Sequence, residues 1–175
     1  MLHDAIDQVT LAKSEFPGAP AGTRAVQLPD NAFESYFLAV FGRPDMSSAC
    51  ECERSSDVNL SQMLHLMNSF EVLTKIGGKA PQVKSTEMKS EKSKAPKTAN
   101  KTRVTPGERL NKLVSDKRGH DEKLRELYLF TYGRLPTDEE LSLLRGHIER
   151  TADVRNAYED ILWVMLNSED FLFNH

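Results

Sequence analysis

The chain has 175 residues, 23 Lys or Arg against 26 Asp or Glu, and a formal charge of −3. That length supports one domain with a real hydrophobic core, and so mild a charge argues against a general nucleic-acid or membrane-surface binder. No apolar run approaches the ~18 residues of a membrane-spanning helix, and the opening MLHDAIDQVT lacks the basic and apolar regions of an export signal.

Ile6 and Val9 share one helical face with no cap before them, so the opening reads as mid-helix and the chain as a fragment of a longer parent. From Leu11 to Asp30 the residues Pro17, Gly18, Pro20, Gly22 and Pro29 predict an extended, turn-rich segment, with a short β-like piece at Arg24 to Leu28. Asp30 offers an N-cap to a helix carrying Phe33, Tyr36, Phe37, Val40 and Phe41, which ends at Gly42 before Pro44. Asn59 and Gln62 have capping-box spacing ahead of the stripe Leu60, Met63, Leu64, Met67. A break near Asn68–Ser69 precedes a helix through Phe70, Leu73 and Ile76 that stops at Gly77–Gly78.

Lys79 to Arg103 holds eight Lys or Arg against two Glu, an excess of six positive charges that leaves the remainder near −9. Poor in apolar residues, it buries too little surface to offset its conformational entropy and is expected to be disordered. Lys84, Lys89, Lys92, Lys94, Lys97 and Lys101 could meet an anionic polymer, but without aromatics to stack on bases a solvated linker is the plainer reading, and no specific nucleic acid is expected. Four helical patterns follow at Pro106 to Lys117, His120 to Tyr132, Asp138 to Arg150 and Val154 to Asn167, with a terminal apolar turn at Phe171 to Phe173. Thr137 and Glu140 form another capping box. The fold expected is all-α: an irregular helical bundle with an extended N-terminal segment and a disordered basic insert, residues 1–78 and 104–175 being two parts of one domain around 79–103.

Two stretches also parallel each other. Tyr36 to Asp45 matches Tyr128 to Asp138, and Leu66-Met67-Asn68-Ser69 matches Met165-Leu166-Asn167-Ser168. Two related helical hairpins are expected, in which Gly ends the first helix, Arg reaches back to its last carbonyls and Pro with Asp starts the next.

The chemistry-bearing candidates lie in FGRPDMSSACECERSSD, Phe41 to Asp57. Cys50 and Cys52 could bind a soft metal with His65 as a third ligand, or form a strained small-ring disulfide, yet the four ligands of a structural zinc site are missing. Two small buried side chains in a tight polar turn is the plain reading. Glu51, Glu53 and Asp57 could serve as paired carboxylates, against the simpler role of partners for Arg54 that fix the turn. His3, His65, His120, His147 and His175 are scattered and read as surface or helix-packing residues, and Trp163 as a core anchor. No nucleophile elbow, phosphate loop or Ser/His/Asp arrangement is present, and no catalytic residue, metal or cofactor is expected of this chain alone.

The strings FPGAPAGTRAVQLPD, FGRPDMSSACECERSSDVNLSQMLHLMNS, RELYLFTYGRLPTDEEL and AYEDILWVMLNSEDFLFNH together resemble the C-terminal end of a planctomycete domain of unknown function found in large proteins with cytochrome-c-like domains. The resemblance implies a helical tail whose partners are the missing N-terminal domains of an exported parent, periplasmic or extracytoplasmic, with a terminal Asn-His docked at His175. It carries no assigned reaction. The Lys-rich insert departs from the usual pattern, and the absence of Cys-x-x-Cys-His excludes haem attachment by this chain. A structural or interaction role is expected, with residues lent to an active site or redox centre of the parent, polysaccharide-related or haem-linked, as the alternative.

Overall fold

The computed structural model describes residues 2–28, 37–38, 41, 67, 69–77 and 103–173. The helices there are α1 (Leu2–Thr10), α2 (Phe70–Ile76), α3 (Arg109–Ser115), α4 (His120–Tyr132), α5 (Asp138–Arg150), α6 (Val154–Leu166) and the short α7 (Glu169–Leu172). They form the expected irregular all-α bundle. No helix among the described residues is long and apolar enough to cross a membrane.

Local chemistry sets the helix limits. Ser69 caps α2 by accepting from Val72 N at 3.0 Å, and Gly77 closes it in the left-handed conformation, φ 89°, where a Cβ would be strained. The capping box before α5 is complete: Glu140 N donates to Thr137 Oγ1 at 3.2 Å and Thr137 N to Glu140 Oε2 at 2.7 Å. α3 is shorter at both ends than the expected Pro106 to Lys117. At its end the Asp116 carboxylate accepts from Arg118 N and Nε at 2.9 and 2.7 Å, which favours a turn over another helical residue. At its start Gly107 passes so close to α1 and α2 that a Cβ there would lie 1.9 Å from Lys75 O and 2.6 Å from Thr10 O.

Helix α6 supplies the centre of the core. Ala157, Tyr158, Ile161, Leu162, Met165 and Leu166 repeat at three- and four-residue spacing and are all buried. Around them pack Val72 and Ile76 of α2, Leu110 and Leu113 of α3, Leu124 and Leu127 of α4, Leu141 and Ile148 of α5, and Phe171. Each fully buried side chain of this size contributes about 1.5–3 kcal/mol. Trp163, expected as the anchor, sits at the rim instead, partly buried and donating to Met67 O at 3.3 Å. Tyr158 and Phe171, both 0% exposed, take the central place.

Two expectations for the chain's extended parts need correction. Arg24 to Leu28 contains a 3-10 turn, Ala25–Gln27, rather than a β-like piece. The Asp4 carboxylate accepts from Ala25 N at 2.7 Å and Val26 N at 3.0 Å, occupying amides that a strand would need for its ladder. The strand in this region is β1, Lys13–Glu15, paired antiparallel with β2, Arg103–Thr105, in the register Lys13 to Thr105. Arg103, expected to close the disordered insert, therefore belongs to a strand. Thr105 Oγ1 accepts from Lys13 N and donates to Lys13 O, both at 3.0 Å.

The two parallel stretches share local devices where both are described. Phe37 and Phe41 stack at 4.4 Å and Tyr128 and Tyr132 meet edge-on at 5.1 Å, each pair four residues apart before a Gly-Arg. Ser168 caps α7 through Phe171 N as Ser69 caps α2. The Gly42–Arg43 turn lies outside the described residues. At the second turn Arg134 does not reach back to the α4 carbonyls: it forks onto Glu140 at 2.9 and 2.8 Å and onto Asp170 at 2.9 Å. Paired carboxylate bonds to a guanidinium outcompete neutral carbonyls, and the Gly133 N–H already closes α4 on Leu129 O.

Candidate functional site

The densest meeting of ionisable side chains in the described interior lies between α1 and α2. On a helix, residues four apart share a face, so His3 with Asp7 and Glu71 with Lys75 present two polar pairs toward one another. Lys75 is 0% and His3 1% exposed, while the Asp7 and Glu71 side chains are each 18% exposed.

Lys75 Nζ stands 2.8 Å from His3 Nε2, 2.9 Å from Asp7 Oδ1 and 3.1 Å from Glu71 Oε1. An ammonium has three protons and no lone pair, and two carboxylate oxygens with, in one tautomer, the imidazole Nε2 are within reach to accept. The contact to Asp7 is an ion pair whose angles fall short of an aligned hydrogen bond. His3 Nε2 lies within reach of both Lys75 Nζ and Glu71 Oε1, the latter at 3.2 Å: one tautomer accepts from the ammonium and the other donates to the carboxylate, while Nδ1 stands 3.7 Å from Asp7 Oδ2. Aromatic rings enclose the group: Phe37 meets the His3 ring edge-on at 5.1 Å and lies 5.6 Å from Lys75 Nζ, and Phe16 lies 5.7 Å from His3.

Burial pushes the Glu71 carboxyl up, but the hydrogen bond with His3 and the Lys75 charge outweigh it and hold the group at about 2, below its ordinary 4.5. Glu71 is thus a fixed anion near neutrality. A carboxylate held so low is a poor general base, and Lys75 is closed off from a substrate. What this arrangement does well is fasten two helices distant in sequence. Asp4, one residue from His3, extends the tie to the 3-10 turn through Ala25 and Val26.

A second tie closes the far end of α1. Arg109, 9% exposed, donates from Nε to Val9 O at 2.9 Å and lies over the Phe130 ring at 4.1 Å, with burial lowering its pKa. Arg155 of α6 reaches Asn111 Oδ1 at 2.7 Å and Gly77 O at 3.0 Å, joining α3 to the end of α2.

The residues singled out in the sequence, Cys50, Glu51, Cys52, Glu53, Arg54, Asp57 and His65, lie outside the described residues, as does His175. Among the described residues no group of three or more His, Cys, Asp or Glu could hold a metal ion. His120 Nδ1 meets Tyr158 Oη at 2.9 Å, and His147 Nε2 meets Asp160 Oδ2 at 3.2 Å. The sequence reading missed Asp7, Glu71 and Lys75. Their signal was the pair of i,i+4 spacings, His-x-x-x-Asp and Glu-x-x-x-Lys, with Lys75 directly beside the core residue Ile76. Compared with protein-family models, with curated proteins and with solved structures, the chain matches none.

Proposed function

We propose that the chain is a structural, partner-binding helical module, the C-terminal part of a larger exported multidomain protein. The supporting observation is the closure of Lys75, 0% exposed, by three polar side chains from α1 and α2. Costly buried charge is here spent on holding helices together, and removing one member would leave the others uncompensated. The resemblance in the sequence supplies the rest: a parent with cytochrome-c-like domains outside the cytoplasm, whose N-terminal domains are the partners. Reading the coding DNA upstream of Met1 tests this. An open frame encoding such domains supports the proposal, and an upstream in-frame stop without them overturns it.

The spacing of Cys50 and Cys52 favours a second reading, in which the module lends residues to an active site or redox centre of the parent. Replacing both cysteines by Ser in the parent separates the two. Lost activity with an unchanged Tm supports chemistry, and a fall in both supports structure. Free thiols counted with and without reductant test the redox form of this reading.

A further inference from the structure

The outer face of α5 carries an open, shallow groove lined by Asp138, Glu139, Ser142, Leu143, Gly146 and Arg150. Leu143 is 69% exposed, and Gly146 opens a notch beside it: a Cβ built there meets nothing within 4 Å. Among the described residues, no salt bridge engages Glu139 or Arg150.

Glu139, Leu143, Gly146 and Arg150 follow one another at spacings of four, three and four residues. That is the spacing of a helix–helix seam, and it reads the same in both directions. Glu139 with Arg150 and Leu143 with Gly146 share one midpoint, between Leu144 and Arg145. A two-fold axis through that midpoint would set each Leu143 over the partner's Gly146 and each Glu139 opposite the partner's Arg150. Glycine lets helix backbones approach closely, and antiparallel helix dipoles attract.

From this self-complementary pattern we infer that the α5 face docks a second copy of this chain, antiparallel, through Leu143–Gly146 and Glu139–Arg150 contacts. Self-complementarity of one patch is what a two-fold interface demands. A seam of about three helical turns buries less than the ~800 Å² per partner of a standard interface, so the dimer is weak and fills only at high concentration.

Sedimentation velocity from about 10 µM to about 1 mM tests the inference, these values bracketing the weak association expected of a small interface. The unaltered chain should shift from monomer toward dimer. Glu139→Arg and Arg150→Glu should each weaken association roughly tenfold by opposing like charges, and the two together should restore it. Gly146→Gln fills the notch and should abolish the dimer while leaving Tm equal or higher, since glycine is the poorer helix former and the site is open. A parallel melting curve for each variant separates lost docking from lost folding. A chain that stays monomeric at the highest concentration overturns the inference and leaves the face to another partner. So does a dimer indifferent to Gly146→Gln, or one that the double reversal fails to restore.

Discussion

Lys75 Nζ stands 2.8 Å from Nε2 of His3, 72 positions earlier in the chain, with both side chains almost wholly buried. A contact so distant in sequence and so short in space makes the two side chains energetically dependent. In a double-mutant cycle with His3→Phe and Lys75→Met, the effects on unfolding free energy should fail to add by about 0.5–3 kcal/mol. Additivity within ~0.3 kcal/mol would show the two residues to be independent.

The Glu71 carboxyl lies at about 2 in the folded chain against an ordinary 4.5. A depressed folded value means that the unfolded chain takes up the proton first, so Glu71 stabilises the fold fully above about pH 5 and loses that contribution as pH falls from 4.5 toward 2. The stability advantage of the unaltered chain over Glu71→Gln should therefore be on the order of 2–3 kcal/mol at pH 6 and shrink toward zero near pH 2. Chemical denaturation at a series of pH values measures it; an advantage that grows on acidification would contradict the assignment.

Gly107 is required by close approach rather than by backbone conformation. Gly107→Ala would push a methyl into Lys75 O and Thr10 O and should cost about 3 kcal/mol or more, because backbone on both sides must move. Gly146→Ala, in open space within a helix, should instead gain up to about 1 kcal/mol. Urea midpoints of the two variants should move in opposite directions.

At the start of α5, Thr137→Ala removes the acceptor for Glu140 N and should cost about 1 kcal/mol. Arg134→Lys keeps the charge but breaks the fork onto Glu140, and at an exposed site it should cost under about 1 kcal/mol. Amide exchange should accelerate in the first turn of α5 for Thr137→Ala.

Helices α2, α4 and α5 were legible because their limits are written locally. Thr137 with Glu140 starts α5, Gly133 ends α4, and Ser69 and Gly77 bracket α2. The pairing of β1 with β2 was not, since three-residue strands about 90 positions apart show no alternation long enough to read. Lys75 and Glu71 look like an ordinary i,i+4 surface pair. Their burial depends on His3 and Asp7, and so on the packing of α1 against α2, which no local window contains. The Cys50–Asp57 segment, where the sequence concentrates its chemistry, and His65 fall outside the described residues.

The role of the buried cluster as a helix clamp is tested most directly by the unfolding free energy of Lys75→Met beside that of a chain with His3→Leu, Asp7→Leu, Glu71→Leu and Lys75→Met combined. A clamp predicts a loss of about 3–5 kcal/mol for the single change, which strands two carboxylates, and recovery of most of it in the fully apolar combination. A single variant within about 0.5 kcal/mol of the unaltered chain would contradict it, showing that these charges do not hold the helices together.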